Sequence, residues 1–140
     1  MKGRAIAIAL VAFLGMVDTF YLSAKGSQPV PCRITGGCND VLTSSYSKVA
    51  GVPLSSIGLV FYLTIFSLAI FQIFDSARTL PWIFWLALPG LLISVALVGI
   101  QAFVLKAFCE YCLASALLVT TIFFLSPWPK RPPASANVNA

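Results

Sequence analysis

From Pro81 to Leu105 the chain runs 25 residues without one charged side chain, and Leu54 to Phe74 does the same over 21. About 20 apolar residues is the length at which an α-helix crosses the hydrocarbon core of a bilayer, and a helix satisfies its own backbone polar groups there. Composition points the same way. Of 140 residues, 59% are hydrophobic and 9% charged, whereas a soluble domain carries about 25% charged residues to cover its surface. The mean hydropathy is +0.95. The chain therefore reads as an all-α integral membrane four-helix bundle. Four spans would use roughly 80 residues and leave about 60 for loops and tails, so no second soluble domain fits. The net charge is +5, but the nine basic residues are spread over every polar segment, which excludes a nucleic-acid patch.

Lys2 and Arg4 precede the first apolar stretch, Ala5 to Ala24. A signal peptide has the same basic start and apolar run. Leu22, where a cleavage site wants a small residue, favours an uncleaved span at about 5–24. Residues 25–53 then change character, with Gly26, Pro29, Pro31, Gly36, Gly37, Gly51 and Pro53 among polar side chains. This is an exposed loop. Within it, Val41, Leu42, Tyr46 and Val49 near helical spacing, behind Asn39 or Asp40 as a cap, predict a short helix over Asn39 to Ala50. Further spans are expected at about 54–74, 81–105 and 108–126, the third kinked at Pro89-Gly90. The Pro-rich segment 127–140 reads as a disordered cytoplasmic tail.

The chain has no histidine and four cysteines, Cys32, Cys38, Cys109 and Cys112. Acid–base chemistry by a group of ordinary neutral pKa is thereby excluded, and thiols are the obvious reactive groups. Two spans separate Cys38 from Cys109, so both pairs face the same side. Lys2 and Arg4, with no acid nearby, put the termini in the cytoplasm. Both pairs then lie on the extracytoplasmic side, where thiols tend to be oxidised.

Cys109-Glu110-Tyr111-Cys112 opens the fourth span. Positions three apart share a helix face, and the N–H groups of a helix start stabilise a thiolate. Such a dithiol cycles easily between oxidised and reduced forms. At the lipid–water boundary it can meet both a water-soluble thiol and a lipid-soluble oxidant. Cys32 and Cys38 flank a glycine-containing loop. Closing that small ring contributes only about 2.4 kcal/mol by loop entropy, which suits a shuttle disulfide better than a brace. Two static disulfides in a non-enzymatic membrane protein would show the same spacing. A Cys₄ zinc site would share the C-x-x-C half but not the longer loop spacing, and no metal is expected.

Cys32-x5-Cys38, Ser44, Gly51-Val52-Pro53, Gly58, Phe61-Tyr62 and a C-x-x-C opening the last span together resemble the vitamin K epoxide reductase family. The resemblance covers about Asp18 to Ala116. DsbB-type quinone reductases carry their C-x-x-C pair first, the opposite order. What the resemblance implies is electron flow from protein thiols to a membrane quinone of the ubiquinone, menaquinone or vitamin K type. Cys112 would react with the quinone. Cys109 would pair with Cys112 and exchange with Cys38, and Cys32 would receive electrons from the partner. Ser44 would lie over the quinone end of the bundle. Leu54 and Ala116 stand where the animal enzymes carry the asparagine and tyrosine that bind the vitamin K head group, which directs the reading away from vitamin K epoxide reduction. Some bacterial members carry a fused thioredoxin-like domain; here a separate thioredoxin-fold, DsbA-like partner is implied.

Asp18 falls inside the first span, where a carboxylate is a functional candidate by default. Phe61 and Tyr62 are further candidates for quinone contact. Lys106, three residues before Cys109, reads as a snorkelling interfacial lysine.

Overall fold

Ala5, Ile8, Ala12, Gly15, Thr19 and Leu22 recur at alternating spacings of three and four, and all six are buried in the computed structural model of the chain. The structure describes residues 2–25, 48–49, 51–75 and 79–126. That spacing is a helix-packing seam, and its small side chains let neighbouring backbones approach closely. The helix carrying it is α1, Lys2–Lys25. It packs against α2, Leu54–Asp75, and against α4, Glu110–Leu125. α4 in turn packs on α3, Leu80–Ile100. The fold is all-helical, as the composition implied. Its core draws on every helix: Ile8 and Ala12 from α1, Tyr62, Ile65 and Ala69 from α2, Ile83 and Ala87 from α3, Ile122 from α4.

Many other large apolar side chains point the other way. Leu10, Phe13 and Phe20 on α1, Phe71 on α2, Leu92 on α3 and Phe124 on α4 are all exposed. Alanine, glycine and isoleucine at the contacts with leucine and phenylalanine left outside suits lipid, where helix contact rests on close packing and apolar area gains nothing by being hidden. Hydroxyls on this surface are satisfied within their own helix: Thr64 donates to the Val60 carbonyl, Ser67 to Leu63 and Thr121 to Leu117. Three helical stretches, Gly3–Lys25, Leu54–Phe74 and Pro81–Leu105, are long and apolar enough to cross a membrane. α4 is apolar but shorter, at 16 residues, a rise of about 24 Å.

The link from α2 to α3 is tied by Gln72, whose side-chain carbonyl accepts both the Thr79 N–H (3.0 Å) and the Thr79 hydroxyl (3.2 Å). At its far end α3 widens into a π-turn, Gln101–Leu105.

Most of the expected loop 25–53, including Cys32, Cys38 and Ser44, lies outside the described residues. Residues 39–47 and 50 of the short helix expected over Asn39 to Ala50 also lie outside the described residues, and only Lys48 and Val49 at its end depart from that expectation. Lys48–Val49 is a strand, β1, paired antiparallel with β2, Val52–Pro53, in the register Val49 to Val52. Between them Gly51 takes φ +84°, a left-handed value that glycine adopts without penalty. A positive-φ glycine between two β-branched valines favours a hairpin over a helical turn.

Candidate dithiol site

The π-turn decides where Cys109 sits. Its backbone ends on Lys106 in the left-handed region, φ 53° and ψ 32°, which turns the chain back towards the helix it has just left. The Gln101 carbonyl accepts the N–H groups of Lys106 and of Ala107, the latter at 3.1 Å. The Gln101 side-chain carbonyl accepts the Cys109 N–H at 3.0 Å. One residue, itself 3% exposed, thus anchors the whole connection from α3 to α4. The sequence reading did not single out Gln101. The available signal was its being the one strongly polar side chain of the third apolar run, eight residues before Cys109.

Cys109 is the N-cap of α4, with extended backbone (φ −102°, ψ 116°). Its carbonyl accepts the Leu113 N–H (2.9 Å) and its Sγ accepts the Cys112 N–H (3.4 Å). The sulfur therefore does what a capping serine oxygen does, satisfying an N–H that the first turn leaves without a partner. Both cysteines are free thiols; Cys109 is fully buried and Cys112 half-buried. Leu105, Ala107, Tyr111 and Cys112 surround Cys109. A hydrogen bond from the Cys112 thiol, joined by the N–H groups of Cys112 and Tyr111, holds the Cys109 thiol below its ordinary range and outweighs the opposing effect of burial.

Tyr62 is buried beside this turn. Its ring lies on Gly15, where a methyl group would fall 2.6 Å from Cζ. Its hydroxyl donates to the Ser115 carbonyl (2.8 Å) and shares a second hydrogen bond with Ser115 Oγ (2.8 Å). Above it Tyr21 of α1 stacks on Tyr111 of α4, ring centroids 5.6 Å apart, with the Lys25 ammonium over the Tyr21 ring. Ser23 of α1 hydrogen-bonds Ser55 Oγ (3.2 Å) at the start of α2. Asp18 lies between these contacts, and its Oδ2 is buried with no hydrogen-bond partner among the described residues.

The structure thus brings Asp18, Tyr62, Cys109 and Cys112 to one end of the bundle. Phe61 sits edge-on to Tyr62, ring centroids 5.3 Å apart, with its ring against Gly90 of α3. Lys106 is exposed, and its place in the site is the backbone turn. Among the described residues no group of three or more histidine, cysteine or acidic side chains is placed to hold a metal ion. A wholly apolar groove between α1 and α2, lined by Ile6, Leu10, Phe13, Phe66 and Ile73, lies at the opposite end and has no chemistry to offer.

A helical bundle with three membrane-length apolar helices and a shorter apolar fourth, capped by the first sulfur of a C-x-x-C pair, defines a class of membrane dithiol proteins. The sequence model of the Vitamin K epoxide reductase family matches residues 6–127, and the chain belongs to that family. It is also 37% identical over 131 residues to "Thiol-disulfide oxidoreductase LTO1" of Arabidopsis thaliana, an alignment covering 79% of this chain. The chain spans about a third of that relative's length, 32%.

Proposed function

We propose that this chain is a membrane thiol–disulfide oxidoreductase with a quinone as electron acceptor. It passes electrons from a thioredoxin-fold partner through Cys32 and Cys38 to Cys109 and Cys112, generating disulfides in the partner. The observation that carries the reading is the capped dithiol: Cys109 Sγ on the Cys112 N–H, with Cys112 half-buried beside it. Family membership and the thiol-disulfide oxidoreductase named among the relatives support it.

In this reading α4 makes the fourth crossing, and both cysteine pairs lie on the extracytoplasmic side. Cys32 accepts the partner's thiolate in a mixed disulfide, and Cys38 exchanges with Cys109. Cys109 is the more stabilised thiolate of its pair and leaves readily from a disulfide. Cys112, one turn into the helix and less enclosed, delivers the electrons. The quinone supplies a two-electron, two-proton sink within the bilayer. Asp18, Phe61, Tyr62 and Ser44 are the residues proposed to surround its head group. Leu54 and Ala116, both half-buried, add no polar side-chain contact, which supports quinone reduction over epoxide reduction.

The test mixes detergent-purified protein with a reduced thioredoxin-fold substrate and a short-chain quinone and follows quinol formation. Wild type should form quinol, while Cys32→Ala, Cys38→Ala, Cys109→Ala and Cys112→Ala should each lose it. With dithiothreitol in place of the protein substrate, only the two loop variants should keep activity. Equal rates in all four variants would refute the relay.

A further inference from the structure

We propose that Asp18 is the proton acceptor of the dithiol: its carboxylate takes the Cys112 thiol proton as the Cys109–Cys112 disulfide forms. This rests on the quinone-reducing reading above. The argument starts from α1. Gly15, Asp18 and Tyr21 are successive positions on one face of that helix, about 9 Å of rise from first to last. Both outer positions are pinned: Gly15 against the Tyr62 ring, whose hydroxyl holds Ser115, and Tyr21 against Tyr111. On α4, Cys112 lies between Tyr111 and Ser115. Asp18 is therefore bracketed onto the turn of α4 that carries Cys112.

The carboxyl group there is unusual in two respects. Oδ2 is sealed from solvent and has no hydrogen-bond partner among the described residues, a costly arrangement that calls for a functional account. The Tyr62 hydroxyl is committed to Ser115, and Oδ2 accepts no hydrogen bond among the described residues, which leaves it able to receive a proton. The titratable groups around it are Tyr62 from α2, Cys109, Tyr111 and Cys112 from the start of α4, and Tyr21 and Lys25 from its own helix. The Asp18 charge acts on Tyr62, Cys109 and Cys112.

The balance closes. Oxidation of two thiols to one disulfide forms the S–S bond, breaks two S–H bonds and releases two electrons and two protons. The quinone takes both electrons and both protons and becomes quinol. The helix start favours the Cys109 thiolate, so the Cys109 proton passes to water and the quinone takes an equivalent proton from water. The Cys112 proton is the one left to move, and the Asp18 carboxylate holds it before a quinol oxygen receives it.

Three full-length proteins are compared with dithiothreitol and a short-chain benzoquinone: wild type, Asp18→Asn and Asp18→Glu. Loss of a positioned base is worth about 10²-fold or more, so Asp18→Asn should slow quinol formation by about that factor, with Asp18→Glu restoring most of it. A second measurement needs no quinone. In a Cys32→Ser, Cys38→Ser, Cys112→Ser background, the pH midpoint for iodoacetamide alkylation of Cys109 should fall when Asp18→Asn is added, because a negative charge beside the thiolate has gone. A midpoint that stays or rises overturns the proposal, as does an Asp18→Asn rate within threefold of wild type. Absence of quinol from the wild type would instead refute the quinone reading, and the alkylation midpoint would still report whether the carboxylate lies at the dithiol.

Discussion

Replacing Gln101 by leucine tests how the dithiol is held. The side chain is 3% exposed and accepts one hydrogen bond, from the Cys109 N–H at 3.0 Å. Leucine fills a similar volume, and the main-chain bonds from Lys106 and Ala107 to the Gln101 carbonyl survive. The substitution therefore removes one acceptor and leaves a buried N–H unpaired, a cost of about 1–3 kcal/mol. Because Cys109 is fully buried, alkylating it requires the link to open locally, and the cost falls on the closed state. The opening equilibrium, and with it the alkylation rate at fixed pH, should rise about 5- to 150-fold, the same free energy converted at RT of about 0.59 kcal/mol. The assay is iodoacetamide labelling of Cys109 in detergent, with Cys32, Cys38 and Cys112 changed to serine. A rate within twofold of the same protein carrying Gln101 would refute the clamp.

Gly15→Ala places a methyl 2.6 Å from Tyr62 Cζ, and the ring is held by its hydroxyl on Ser115. The expected loss is about 1–3 kcal/mol of stability, read as a lower unfolding midpoint in detergent, whereas Gly3→Ala, with nothing within 4 Å, should leave the midpoint unchanged. Tyr62→Phe removes both hydrogen bonds to Ser115 and should cost about 1 kcal/mol without abolishing the fold; an unchanged midpoint would mean that those bonds contribute nothing. The lowered Cys109 thiol also sets a pH dependence. Its folded pKa lies below its unfolded one, so its contribution to the stability of the reduced protein is present in full above the unfolded value and is lost as pH falls through the folded value. The stability difference between reduced wild type and Cys109→Ser should therefore grow with rising pH, and a difference that grows on acidification would contradict it.

The α1 seam lies in the sequence as an alternating three- and four-residue spacing, a one-dimensional signal, but the sequence reading took only the length and flanking charges of that span. The C-x-x-C opening the last helix was legible, since capping depends only on which residue precedes the first turn. Lys48–Val49 was misread because Val49 continues the helical spacing of Val41, Leu42 and Tyr46, whereas Gly51 turns the chain through a positive φ that no spacing reveals. The Gln101 clamp was illegible for a different reason. It needs a π-turn and a left-handed lysine, and neither Gln101 nor Lys106 belongs to a residue type that announces such a backbone.

Residue order alone dictates that this chain is helical and apolar enough for a bilayer, because too few charges remain to clothe a soluble surface. It also dictates that its chemistry falls to thiols, because there is no histidine to share it. How the helices turn against one another is settled by contacts between distant residues: Tyr62 on Gly15, Thr19 on Gly58, Phe61 on Gly90. Those contacts send Phe61 towards α3 and fix the face of α1 on which Asp18 Oδ2 has no hydrogen-bond partner among the described residues, while Leu105, Ala107 and Tyr111 enclose Cys109. Helical periodicity defines faces but not their rotation, and rotation decides which residues of the first helix meet the opening turn of the last.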